Sequence, residues 1–365
     1  MKVLHILTDS NIGGAGYYLL SLLKSYDRDR FQIAVVLPEG SRLRSLVQAL
    51  DVPVSELPHM ADRSFSLKAT CSLYWLIREI KPDIVHTHAS FSGRLAAKML
   101  RLPLIYTRHY CLSAGKRQSM NFINNLFGDR VIATAPEVAT GLIESGTKPE
   151  RITTILNGSP PLKKLSDEEK AAVRARYGIA SDDFVISQVA RLEPVKGHMH
   201  SLDAAKLLAK DPKIVLLLAG DGALDGHLRK RIKDEKINNV IMTGFVKAVE
   251  EIHNISDLQI NASYTETSCL ALIEGMSLGI PAVASGGGGN PDVIKHGERG
   301  LIVPIGNALA LAEAVLEIKN DIALYRRFSA GALDAYNKYF RAEIMARQVE
   351  ALYQEVMDEN RKQGS

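Results

Sequence analysis

Residues 1–20 read MKVLHILTDSNIGGAGYYLL. Val3 to Leu7 is an apolar run of strand length, and Tyr17 opens a segment of helical periodicity. Between the two stand Asn11, Ile12, Gly13, Gly14, Ala15 and Gly16. Glycines between a strand and a helix let backbone N–H groups approach an anion, with the positive end of the helix behind them. Three readings are open here: a dinucleotide clamp, a sugar-nucleotide site, or a tight turn without ligand.

The same alternation continues outward. Further strand candidates are Phe31–Leu37, Ile84–Thr87, Leu104–Thr107, Arg130–Ala133 and Ile152–Leu156, with helical patterns at Tyr17–Tyr26, Leu67–Ile80 and Ser92–Leu100. After Asn157-Gly158 come two prolines, two lysines and a charged helix from about Ser166 to Tyr177, so 158–182 reads as an inter-domain passage. A second series follows, with strands at Phe184–Ala190, Ile214–Ala219, Val240–Thr243, Leu258–Asn261 and Ala282–Ala284. Its helices are Ser201–Ala209, Ala223–Asp234 and Leu270–Leu278, and beyond Gly306 the chain is mostly helical. This predicts an α/β fold of two doubly wound, Rossmann-like domains, 1–158 and 183–340, each with a parallel sheet covered on both faces. Ligands in such sheets bind beyond the carboxyl ends of the strands, so two facing domains offer an interdomain cleft.

At 365 residues the chain exceeds one ordinary core, in keeping with two domains. The net charge of +4 neither demands nucleic acid nor excludes an anionic ligand or membrane surface. Cys71, Cys111 and Cys269 form no CxxC pair, which argues against a disulfide framework or thiolate zinc site and suits a reducing cytoplasm. No apolar run approaches the roughly 18–20 residues of a membrane span. The opening apolar run, short and followed by polar residues and glycines, does not read as a signal peptide.

Counting glycines weakens the dinucleotide reading. From Gly14 the pattern runs Gly14-Ala15-Gly16-Tyr17-Tyr18-Leu19 and lacks the third glycine, and the acid after strand two, Glu39, sits past Pro38. The second half is more specific. Residues 261–281, NASYTETSCLALIEGMSLGIP, hold Glu266 and Glu274 eight apart. A helix starting near Thr267 or Ser268 would put both carboxylates on one face, roughly 12 Å apart along the axis. That is too far to share a proton but suits a long ligand touched at two places. The N–H groups of Ser268, Cys269 and Leu270 would lie between them, where a diphosphate fits. The plainer alternative is two solvated helix charges. Arg191, ending a strand, and Lys196, starting the next helix, make a diphosphate clamp or an ordinary surface pair.

Together these residues resemble the retaining GT-B glycosyltransferases of group 1, also called family 4. The likeness spans nearly the whole chain. It rests on Gly13-Gly14, Asp83-Ile-Val-His-Thr-His88, Thr107-Arg-His109, Asn157-Gly158, Arg191 with Lys196 and Gly220-Asp221-Gly222. It continues through Thr243-Gly-Phe245, Glu266-x7-Glu274, Ser277-x-Gly-Ile-Pro281 and Gly300-Leu-Ile-Val303. The resemblance implies that Glu266 contacts the donor sugar, Glu274 the ribose, and Arg191 and Lys196 the diphosphate. It implies that Gly13 and Gly14 close over the diphosphate, that Gly244, Phe245 and Val246 lie near the base, and that His109 faces the reacting sugar. No cofactor and no tightly held metal are implied, because fixed cations and dipoles stabilise the leaving diphosphate. Three departures leave the donor open: Thr267-Ser268-Cys269 replaces the usual Gly-Phe-Gly, Ser159-Pro160 follows Asn157-Gly158, and Asn290-Pro291-Asp292 follows the glycine run.

His86 and His88 alternate on one strand and point the same way, and His109 follows the next strand identified. Three histidines could hold zinc, but no fourth ligand is evident. His88 is either an acceptor-contacting wall or structural; His86 reads as structural. Arg108, Tyr110 and the segment 116–127 lie where the acceptor should enter. There Met120, Ile123, Leu126 and Phe127 form a stripe behind Lys116 and Arg117, either a helix's core-facing side or a peripheral membrane contact. The basic run Leu228–Arg231 reads as a solvated helix face. A terminal helix, about 342–361, is expected to cross back onto the first domain, as in the family. The resulting expectation is a cytoplasmic transferase for bacterial surface glycan or glycolipid. It would move sugar from a UDP-sugar, slightly preferred over a GDP-sugar, to a glycan or lipid-linked saccharide acceptor, with no nucleic-acid partner. The alternatives are an epimerase or phosphorylase on the same frame, or a silent sugar-nucleotide-binding protein.

Overall fold

A computed structural model describes residues 1–10, 12–110, 125 and 127–364. The chain divides into two compact units, 1–159 with 341–365, and 160–340. Among the described residues, unit one holds a seven-stranded parallel sheet in the order β3-β2-β1-β4-β5-β6-β7. Its strands are β1 (Lys2–Leu7), β2 (Gln32–Pro38), β3 (Val54–Leu57), β4 (Ile84–His88), β5 (Leu104–Arg108), β6 (Arg130–Ala133) and β7 (Ile152–Thr154).

The pleat explains why β1 is apolar throughout. Val3 and Leu7 join one core with Tyr18, Leu19 and Leu22 of the helix Gly14–Ser25. Leu4 and Ile6 point the other way, into a second core with Val36, Leu73 and Ile77. The first core is completed by the helix Ala342–Gly364, which adds Met345, Val349, Leu352, Tyr353 and Val356. Each such fully buried side chain stabilises the unit by about 1.5–3 kcal/mol. The chain re-enters through a backbone contact in which Ala342 N–H donates to Ser159 O at 3.1 Å. Gly158 permits it, since a Cβ there would stand 2.6 Å from Arg341 O.

Unit two holds a six-stranded parallel sheet in the order β10-β9-β8-β11-β12-β13. Its strands are β8 (Phe184–Val189), β9 (Ile214–Ala219), β10 (Val240–Gly244), β11 (Leu258–Asn261), β12 (Ala282–Ser285) and β13 (Gly300–Val303). In both sheets the strand order reverses once, between β1 and β4 and between β8 and β11. That reversal opens a crevice at the carboxyl ends, where ligands of doubly wound sheets bind.

Three elements differ from the sequence expectation. Strands β3 and β13 were not expected as strands. Residues 160–182 are part of unit two rather than a passage. There the helix Asp167–Arg176 is fixed by a Ser166/Glu169 capping box. Its buried Val173, with Leu165 and Ile179, packs on Val185, Leu217, Ile252 and Ile255. Asn11, Cys111 and the stripe residues Met120, Ile123 and Leu126, with Lys116 and Arg117, lie outside the described residues. Phe127 meets Phe91 edge to face, with ring centres 5.3 Å apart. Among the described residues no helix is long and apolar enough to cross a membrane.

Candidate active site

The crevice between β8 and β11 brings Lys196 and Glu266 of unit two together. Lys196 leaves the β8 end on a single 3₁₀ turn, Pro194–Lys196, and Glu266 follows the β11 end. Lys196 Nζ donates to Glu266 Oε1 at 2.5 Å, and the side chains are only 19% and 10% exposed. Burying such a pair is costly unless further hydrogen bonds hold it. Here Ser263 Oγ donates to the same oxygen at 3.0 Å and Asn261 Nδ2 at 3.3 Å. Asn261 is braced in turn, since its Oδ1 accepts from the buried Asn290 Nδ2 at 3.2 Å. Gln188 of β8 holds the lysine backbone, donating to Lys196 O at 2.8 Å. The glycine run approaches from β12. Gly288 has φ +63°, and a Cβ there would lie 1.9 Å from Glu266 O. All three side-chain bonds to the Glu266 carboxylate end on Oε1, and among the described residues no hydrogen bond reaches Oε2. Asn261, Ser263 and Gln188 were not singled out from sequence, because isolated polar side chains in and beside strands read as ordinary structure; Asn290 was named only as a departure from the family pattern.

Glu274 lies in the helix Leu270–Met276, which starts with the Leu270–Leu278 pattern and not at Thr267 or Ser268, and has Cys269 as its N-cap. Ser268 therefore precedes the helix, Leu270 opens it, and the helical separation of the two glutamates does not apply. Burial, with the charge of Glu250 adding, pushes the Glu274 carboxyl up to about 7. Beside it, 3.9 Å away, is His253, whose two ring nitrogens are buried without hydrogen-bond partners. Burial pulls that imidazole down to about 4, so it is neutral. Cys269 is buried, and its thiol is pushed up to about 12, which removes it as a nucleophile. At the β10 end, Gly244 has φ +71°, Phe245 is exposed, and Val246 packs on the core.

Unit one brings four histidines together rather than three. His109, just past β5, bonds through Nε2 to His88 Nδ1 at 3.1 Å. His88 Nε2 meets His5 Nδ1 at 3.0 Å, and His5 Nε2 meets the Tyr26 hydroxyl at 3.0 Å. Tyr26 then meets Tyr353 at 2.7 Å, Tyr353 meets His86 Nδ1 at 2.6 Å, and His86 Nε2 meets Thr107 Oγ1 at 2.6 Å. Burial holds His5 and His109 down at about 3 and lowers His86 and His88 strongly, so all four rings are neutral. His5, His86 and His88 place nitrogens within 4.8 Å of one another, as metal ligands would. All six of their ring nitrogens already serve hydrogen bonds, so a metal would have to break that network.

The family model for glycosyl transferases of group 1 matches residues 169–334, and that for glycosyltransferase family 4 matches residues 12–161. The chain belongs to the group 1 glycosyltransferases. One relative is the UDP-Gal:alpha-D-GlcNAc-diphosphoundecaprenol alpha-1,3-galactosyltransferase of Escherichia coli, 25% identical over 89% of each chain. Another is the N-acetyl-alpha-D-glucosaminyl L-malate synthase of Bacillus anthracis, 26% identical over 76% of each chain. The crystal structure of Anabaena Alr3699/HepE in complex with UDP has the same fold. It matches with a TM-score of 0.86 at 24% identity, covering 97% of this chain and all of that one. The fold is GT-B, and the activity is glycosyl transfer.

In this glycosyltransferase two expected site residues are placed differently from the expectation. His88 is fully buried, with both ring nitrogens in use, and presents no surface to an acceptor. Arg191 is not a fixed cation beside Lys196; it is 63% exposed and pairs with Glu193 at 2.5 Å. Arg108 is buried, donating to Tyr106 Oη at 3.1 Å and to Tyr110 O at 2.9 Å, with its guanidinium 3.9 Å from the centre of the half-exposed Tyr110 ring. Gly13 and Gly14 open the helix Gly14–Ser25 without positive φ. A Cβ would find 3.9 Å to Asp9 at Gly13 and open space at Gly14. Among the described residues of unit one, nothing fills the space that a side chain would take at either position.

Proposed function

We propose that this glycosyltransferase moves a sugar, with retention of configuration, from a nucleoside diphosphate sugar to a glycan or lipid-linked saccharide. The observation that carries this reading is the Lys196–Glu266 pair at the β8/β11 switch point, braced on one carboxylate oxygen and open on the other. A cation held there stabilises a departing diphosphate, and the open oxygen accepts a sugar hydroxyl. Arg191, free to swing off Glu193, adds a second cation when the diphosphate is present. Glu274 takes the ribose, Phe245 and Val246 stand near the base, and Gly13 and Gly14 admit the diphosphate to their backbone. His109 faces the reacting sugar, with Tyr110 toward the acceptor. No protein nucleophile is assigned: the leaving phosphate takes the acceptor proton on the face it departs from. UDP is preferred as donor base, which the UDP-Gal donor of the Escherichia coli relative supports. That relative's diphosphoundecaprenol acceptor supports a lipid-linked substrate in surface polysaccharide synthesis.

The test is nucleoside diphosphate release across UDP-, GDP- and ADP-sugars with lipid-linked acceptors, followed by assignment of the product anomer. Turnover by one donor, unaffected by a chelator, is expected. Undiminished turnover in Glu266→Ala and Arg191→Ala would exclude this site. Donor conversion without acceptor would point instead to an epimerase.

A further inference from the structure

Beside Glu274 stands a side chain that the transfer reaction has not yet used. His253 lies on the helix Val249–Asn254, which joins β10 to β11. Its side chain is only 1% exposed, and neither ring nitrogen has a hydrogen-bond partner. An imidazole buried this way gives up its bonds to water and gains none in exchange. A leucine would fill such a place at less cost, so packing alone does not account for a histidine there.

Nε2 of that ring lies 3.9 Å from Glu274 Oε2. The distance exceeds a hydrogen bond by about 1 Å, which a small rotation of the carboxylate closes. Among the described residues no hydrogen bond reaches either oxygen of that carboxylate. The Glu274 side chain is 17% exposed, so a ligand can touch the carboxylate but not the imidazole behind it.

We propose that His253 is a positioning residue for donor binding: its Nε2–H closes onto Oε2 of the ionised Glu274 and aims Oε1 at the ribose hydroxyls of the donor. The inference rests on the reading of Glu274 as the ribose contact. It gives Glu274 the arrangement already present at Glu266, with one oxygen held and the other open. Burial keeps His253 neutral, so it donates without bringing a charge into the site. A hydrogen bond to a carboxylate is roughly twice as strong as one between neutral groups, so this one favours the ionised form. Glu250, on the same helix as His253, acts against that ionisation. Its neighbour Glu251 is engaged by Arg176 at 2.6 Å.

The experiment is UDP binding to the full chain by calorimetry at pH 8, with a melting curve for each variant. His253→Leu removes two unpartnered nitrogens from the interior and should raise the melting temperature by about 2–4 °C. It should nonetheless weaken UDP about tenfold, as for loss of one charge-assisted bond. His253→Gln, whose amide can donate from near the Nε2 position, should bind UDP within about threefold of the natural sequence. In a Glu274→Ala background His253→Leu should change affinity less than about twofold, since no carboxylate remains to be aimed. Should His253→Leu not fold, His253→Met takes its place with the same expectations. Equal losses of affinity in the two backgrounds, with a lowered melting temperature, would mark a merely structural histidine and overturn the proposal. So would unchanged UDP affinity in His253→Leu where Glu274→Ala binds weakly. Unchanged affinity in Glu274→Ala itself would instead remove the ribose reading. The contact is then judged in the ligand-free chain by ¹³C titration of the Glu274 carboxyl. Its midpoint should rise by about one pH unit in His253→Leu, and an unmoved midpoint overturns the contact as well.

Discussion

An ammonium and a carboxylate held at 2.5 Å with little water around them stabilise each other only while both are present. Lys196→Ala leaves Glu266 with two neutral donors in a confined site. It should cost on the order of 2–3 kcal/mol in a urea melt, whereas the paired change Lys196→Ala/Glu266→Gln should cost less. Transfer should fall by about 100-fold or more in either. Glu274 gives a different handle. Its carboxyl, pushed up to about 7, holds a proton in the folded chain over a range where the unfolded chain has released it. Stability therefore declines as pH rises from about 4.5 to 7 and levels above that. A ribose hydroxyl donating to this group favours the ionised form, so donor binding should release a proton and tighten as pH passes through 7. Calorimetry from pH 6 to 8 checks this; Glu274→Gln should bind weakly with no slope, and an unchanged slope would remove Glu274 from the donor site.

Loops and short strands carry the site, and they are held by backbone contact more than by side chains. Gly288→Ala drives a Cβ into Glu266 O and should cost about 2–4 kcal/mol along with donor affinity. Gly14→Ala meets open space and should leave the melting temperature nearly unchanged, while slowing turnover if a ligand's phosphate approaches that backbone. Equal stability losses in the two variants would contradict this contrast. Strands such as β1 and β9 were legible in the sequence because burial on both faces makes them continuously apolar. Val54–Leu57 was not: it is an edge strand, only partly buried, with Ser55 and Glu56 in its middle. Gly300–Val303 is four residues long and opens on a glycine, which reads as a turn. Glu266 and Lys196 stood out from sequence, but their direct pairing did not, since a run of residues shows no preference between Arg191 and Glu266 as the lysine's neighbour. His5 was hidden for a similar reason. One histidine in an apolar strand carries no sign of the three other rings that the sheet brings beside it.

The two units have different claims to independence. Unit two is one continuous stretch, 160–340, with its own core, whereas unit one needs 341–364 to cover Val3, Leu7 and Leu19. A fragment of 160–340 should unfold cooperatively and bind the nucleoside diphosphate. A fragment of 1–159 should stay unfolded, and adding 341–365 as a peptide should restore structure. Circular dichroism of the three samples decides the matter, and a cooperatively folded 1–159 would refute the dependence. The Tyr26–Tyr353 bond, spanning 327 residues, also sets a clock for the ribosome. At about 5–20 residues per second, roughly 15–65 s separate the synthesis of its two ends. During that interval the first half of the nascent chain waits with an uncovered sheet face and is a natural client for chaperones, while the second half can already fold. A nonsense codon near residue 341 would therefore leave a sound donor unit attached to an unfolded partner, and should be as damaging as deletion of the whole reading frame.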